Sequence, residues 1–148
     1  KVRSVCLGSF IPWDVKEQIK LIKKEVDWQE DEVEGIPPEY GYEKIECSMQ
    51  GVRDYLKFIK RGFGRTAHLA SLDIRNGRLT TKEAREMILK YDGKRPASLD
   101  VFLKYVGLTE DEFDEIAMSH VVAPHIHDPG KVEKGKPLHD QKDWNKTA

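Results

Sequence analysis

Nine residues, KRGFGRTAH from Lys60 to His68, combine the side chains and backbone freedom that an anion site needs. Two glycines allow the backbone to turn its N–H groups toward one point, two arginines flank them, and a new helix is expected to begin directly afterwards. A helix N-terminus carries about half a positive charge and unpaired N–H donors, so a phosphate or carboxylate is a natural occupant. Arg61 and Arg65 are then placed to grip it through bidentate bonds. On the following helix His68, Ser71 and Arg75 recur at i, i+3 and i+7, which puts them on one face starting at the same turn. A plain solvated basic face accounts for the same spacing, and a hydrogen-bonded helix-end histidine accounts equally for His68.

The element that leads into this turn is expected to be a helix from Tyr42. Ile45, Met49, Val52, Leu56, Ile59 and Phe63 fall on one stripe, which is read as the core side. Gln50, Arg53, Lys57, Lys60 and Arg61 occupy the opposite arc, with Cys47 at its margin. Gly51 lies inside that helix, where glycine costs about 1 kcal/mol relative to alanine, so a close approach by another backbone or room for a ligand is implied. Cys47 has Glu46 beside it and no neighbouring base or cation, so it reads as structural rather than nucleophilic.

Local signals place the other elements. Asp14 is an N-cap for a charged amphipathic helix from Val15 to about Val26, and the acidic run from Gln29 to Tyr40 with Pro37 and Pro38 reads as a solvated connection. Beyond the glycine turn, Thr66 is expected to cap a helix from Ala67 to Asn76 that Gly77 ends. Thr80 with Glu83, and Thr109 with Glu112, form two capping boxes, for helices reaching about Tyr91 and about His120. Ser98 opens a further short helix that Gly107 stops. Val2 to Leu7 reads as a short strand whose sheet lies outside this chain, since no second strand pairs with it, and the Lys1 start looks cut. The fold expected is mainly α, a compact helical domain with one short N-terminal strand. Residues 1–123 form the domain, with 1–11 as strand and turn, and 124–148 form an extended tail that Trp144 anchors.

Composition bounds the partners. The 148 residues carry 25 Lys and Arg against 26 Asp and Glu, a net charge of -1, so no global field recruits nucleic acid or an anionic membrane. The two helices from Ser98 to His120 resemble a helix-turn-helix in outline, but Asp111, Glu112, Asp114 and Glu115 would meet phosphates. Two distant cysteines, Cys6 and Cys47, form no disulfide or zinc framework and point to a reduced cytoplasmic setting. His120, His125, His127 and Asp128 are metal-ligand types without the spacing of a helical pair and with Pro124 between them, so no metal is assigned. No apolar run reaches the ~20 residues of a membrane span.

Taken in order, IPWD at 11–14, the stretch from Tyr42 to Thr80, KYDGKRPASLD at 90–100 and HVVAPH at 120–125 resemble the C-terminal part of the bacterial N-acetyl sugar amidotransferases. Those enzymes act in lipopolysaccharide O-antigen and related surface-sugar biosynthesis. The resemblance implies an ATP pyrophosphatase reaction: ATP, with Mg2+, activates the acetamido oxygen of a nucleotide-linked sugar, and ammonia displaces AMP to leave an acetamidino group. It also implies a partner glutaminase and a cyclase-like subunit that supply the ammonia. The ATP-binding half of such an enzyme has an adenine nucleotide alpha-hydrolase α/β fold with an SGGxDS loop. That loop is absent here, so this chain is expected to bind no cofactor alone and to be the C-terminal portion, with Val2 to Leu7 as the last strand of the upstream sheet. The residues carried over as substrate-binding are Gln50, Lys60, Arg61, Arg65, His68 and Arg75, acting as charge stabilisers rather than proton carriers. The competing reading is a non-catalytic interaction module whose basic face docks partner subunits.

Overall fold

The computed structural model describes residues 2–136, and Trp144 lies outside them. Contacts divide the chain into two units, Lys1–Glu30 and Asp31–Ala148, with the division falling in the acidic connection. In the first unit Val2 to Cys6 forms no strand, because a strand exists only as half of a hydrogen-bonded ladder and no described residue pairs with it. A single 3-10 turn, Leu7–Ser9, follows. Helix α1, Val15–Val26, starts where expected: the Asp14 carboxylate accepts from the Lys16 and Glu17 N–H groups at 2.9 and 3.4 Å.

Among the described residues the second unit has five α-helices, α2 (Gln50–Arg61), α3 (Arg65–Arg75), α4 (Thr81–Tyr91), α5 (Ser98–Val106) and α6 (Glu110–Met118). Both expected capping boxes are present, Thr80 with Glu83 at α4 and Thr109 with Glu112 at α6. Gly62 and Gly107 sit in the left-handed region at the ends of α2 and α5. These are local interactions within three or four residues, which is why spacing alone locates them.

Two small apolar cores result. In one, Val52, Tyr55 and Ile59 of α2 meet Leu99 and Leu103 of α5 and Phe113 and Ala117 of α6. In the other, Val33, Ile36 and Tyr40 of the connection pack on Leu69 of α3, with Met87 of α4 alongside. The acidic connection is therefore not simply a solvated loop, since its apolar residues line a core. The Tyr40 hydroxyl reaches the buried Asp73 carboxylate at 2.8 Å, and burial followed by that bond pushes the phenol above its usual range.

The structure corrects the reading of α2. Residues 42–49 are turns rather than helix, because Lys44 adopts φ +60, which breaks helical continuation. The buried face also lies further round: Tyr55 takes the place expected for Leu56, which is exposed along with Ile45 and Phe63. A phenol counts as half-polar in a pattern, yet Tyr55 is 5% exposed and stacks on Phe113 at 6.5 Å. The same rotation removes Gln50 from the basic surface and buries it, with its amide donating to Asp54 Oδ2 at 2.9 Å.

Gly51 faces a side chain rather than another backbone. Its neighbour is the buried Glu34 carboxylate, whose Oε2 would lie 2.0 Å from an added Cβ. That carboxylate accepts from the Ser98 N–H at 3.1 Å and from the Ser98 hydroxyl, and so caps α5 from 64 residues away. Alanine at an ordinary helix site gains about 1 kcal/mol over glycine. Here it would unseat a buried, pinned carboxylate at a cost of about 1–3 kcal/mol. Gly51→Ala is therefore expected to lower the urea midpoint, and a raised midpoint would show that Glu34 moves aside freely.

Candidate functional site

The glycine turn between α2 and α3 has the geometry expected of an anion site, and the anion is the chain's own. The Asp92 carboxylate, at the end of α4, accepts from the N–H groups of Gly64, Thr66 and Ala67 at 2.8, 3.0 and 3.2 Å. The N-cap position is Gly64, not Thr66, whose hydroxyl is fully buried without a hydrogen-bond partner. Gly64 leaves room for Asp92: a Cβ there would lie 2.5 Å from Oδ1.

Arg65 is also engaged within the fold. Its Nε and Nη2 make a bidentate pair with Asp54 at 2.7 and 3.1 Å, and Nη1 reaches Glu43 at 3.0 Å. Burial alone would lower the guanidinium, but the bonds and charges of Asp54 and then Glu43 outweigh it and hold it above its ordinary range. Gln50 shares Asp54 with Arg65 and accepts from Arg53 Nη1 at 3.4 Å. Gln50 and Arg65 thus belong to one network joining α2, α3 and the turn at Glu43.

The other candidates lie on the surface. Lys60, Arg61, His68 and Arg75 are exposed. Arg75 donates to Ser71 Oγ at 2.7 Å, so these two are joined on the outer face of α3 that also carries His68. On α2 the outer arc runs through Arg53, Lys57, Lys60 and Arg61, with Lys57 Nζ lying 4.8 Å over the exposed Phe63 ring. Among the described residues, the side chains of Lys60, Arg61 and His68 have no ion-pair partner.

Sequence reasoning missed the organising role of KYDGKRPASLD. Asp92 caps α3, Ser98 receives Glu34, and between them the buried Arg95 pairs with Asp100 at 2.6 Å and with both carboxylate oxygens of Glu110. The one available signal was density: a carboxylate, glycine, arginine, proline and serine crowd the gap between two helices. Among the described residues no group of three His, Cys, Asp or Glu side chains is arranged to hold a metal ion. His125 and His127 instead pack on aromatic rings of α2.

These features describe a helical domain with a self-contained polar framework and an exposed cationic surface on α2 and α3. No helix among the described residues is long and apolar enough to cross a membrane. Residues 34–129 match the family model described as LPS biosynthesis protein WbpG-like, C-terminal domain, and the chain belongs to this family of lipopolysaccharide biosynthesis proteins. No curated protein and no solved structure matches it. The matched region begins at Glu34, the α5 cap, and ends just past His127 and Asp128.

Replacing Asp92 by alanine leaves three N–H donors of α3 without their acceptor. A lost cap costs about 1–2 kcal/mol, so Asp92→Ala should lower the melting temperature by several degrees. An unchanged melting temperature would mean that water or an outside anion substitutes for the carboxylate, and added phosphate would then raise it.

Proposed function

We propose that this chain is the C-terminal portion of an ATP-dependent amidotransferase of lipopolysaccharide biosynthesis. Its reaction converts an acetamido group of a nucleotide-linked sugar to an acetamidino group, with ammonia from a partner glutaminase delivered through a cyclase-like subunit. Family membership and the order of the motifs support this reading. The ATP-binding α/β half, with Mg2+, would lie upstream, and Val2 to Leu7 would complete its sheet. The setting is cytoplasmic, where nucleotide-linked sugars and ATP are available.

The observation that carries the domain's own role is the division of the candidate side chains into two sets. Arg65 and Gln50 hold the fold together, whereas Lys60, Arg61, His68 and Arg75 present charge and hydrogen-bond donors outward. The outward set suits the phosphates of a nucleotide-linked sugar or the departing pyrophosphate. Its members act there by charge and not by proton transfer. The same exposed face would serve the alternative, a docking surface for the ammonia-supplying subunits.

In the full-length enzyme, replacing Lys60 and Arg61 together by alanine should raise KM for the sugar nucleotide about tenfold with kcat little changed, since uniform binding is lost. Arg65→Lys keeps the charge but loses the fork, and is expected to cost about 1–2 kcal/mol of stability while KM holds. Unchanged KM in the double variant sinks the substrate role. If glutamine-dependent turnover falls while turnover with free ammonia is retained, the face docks the ammonia-supplying subunits instead.

A further inference from the structure

The segment after α6 is tied to the helices at both ends. The Val122 N–H donates to the Lys60 carbonyl at 2.9 Å, in the last turn of α2, and Val121 and Val132 pack on the α2–α5–α6 core. Further on, the Arg95 N–H donates to Glu133 and the Gly135 N–H donates back to Arg95, both at 2.8 Å. Between these ties sit two imidazoles. His125 lies against Gly62, where an added Cβ would come 2.5 Å from Nδ1, and edge-on to Phe58 at 6.0 Å. His127 is 6% exposed, edge-on to Tyr55 at 6.3 Å and to Phe58 at 6.2 Å, with the two imidazoles 6.1 Å apart.

In both rings Nε2 is buried and has no hydrogen-bond partner. A neutral imidazole tolerates this at modest cost, but an imidazolium places a donor and a charge where nothing accepts them. The groups that face His127 are Asp114 of α6, Tyr55 and Phe58 of α2, and His125 and Asp128 of its own segment, with Arg95 and Glu110 beyond Asp114 and Tyr55. Burial, then the neighbouring His125, lowers the proton affinity of His127, and Asp114 and Asp128 do not restore it.

We infer that residues 121–135 are an acid-released strap, held on α2 by the aromatic seat of an uncharged His127 and freed when that ring takes up a proton. The sign follows from burial. With His127 depressed in the seated form, the released segment binds the proton more readily, so acid favours release. The effect starts as pH falls through the ordinary histidine range near 6.5 and levels off once the seated ring also titrates. Release frees the Lys60 carbonyl and the last turn of α2. The backbone that carries the exposed Lys60 and Arg61 side chains therefore becomes dependent on proton activity.

The test is amide hydrogen exchange on this chain at pH 7.5 and 5.5, corrected for intrinsic rates. Protection at the Val122 and Gly135 amides should fall severalfold at the lower pH, while Leu69 and Ala70 in α3 keep theirs. His127→Phe retains a ring in the aromatic seat but cannot titrate, and should hold protection equal at both pH values. Should that variant fail to fold, the proton NMR titration of His127 in the unmodified chain decides. A midpoint below that of an exposed histidine supports the strap, and one at or above it overturns the inference. Protection that does not change with pH, or that falls equally in His127→Phe, overturns it too.

Discussion

The helical unit depends on carboxylates that cap helices from far along the chain. Asp92 closes the N-terminus of α3 across 28 residues, and Glu34 closes that of α5 across 64. Neither apolar core is large: one gathers α2, α5 and α6, and the other joins the connection to α3 and α4. Contacts between apolar groups are non-directional and leave the mutual orientation of two such cores poorly specified. Charge-assisted bonds to backbone N–H groups are short and directional, so each cap fixes where a helix begins relative to a distant segment. Glu34 belongs to the connection that lines one core and caps a helix of the other, and it thereby links them.

Legibility in the sequence tracked sequence separation. Asp14, the Thr80–Glu83 and Thr109–Glu112 boxes, and the stop at Gly107 are all readable, because each acts within one helical turn. The remote caps are invisible to any window of that size. Gly51 came nearest to revealing one, since a glycine inside a helix demands a close neighbour, but the sequence does not say that the neighbour is Glu34. The rotation of α2 failed for a different reason. Leu56 and Tyr55 are adjacent, and an aliphatic stripe through Leu56 fits a helix as well as the observed face through Tyr55. What decided was the partner surface, where Phe113 offers a ring to stack on.

The basic turn shows how a binding motif and a folding device can share one sequence. Glycines, flanking arginines and a helix start state only that an anion belongs there. Whether it arrives with a ligand or with the chain is a matter of tertiary structure, and here Asp92 supplies it. The same distinction separates Arg61 from Arg65, four residues apart. Asp54 and Glu43 claim Arg65, while Arg61 meets no carboxylate among the described residues.

Cationic side chains that the fold leaves unpaired carry no folding benefit through ion pairing. Their location sharpens this point. Lys60 and Arg61 occupy the last turn of α2, where the helix dipole favours positive charge. At the same turn Gly62 reverses the chain, His125 lies against that glycine, and Val122 takes the Lys60 carbonyl. The turn of α2 that carries the two cations is therefore the one on which the later segment also rests. Any movement of that segment must alter the surroundings of Lys60 and Arg61, because the carbonyl it releases belongs to Lys60 itself.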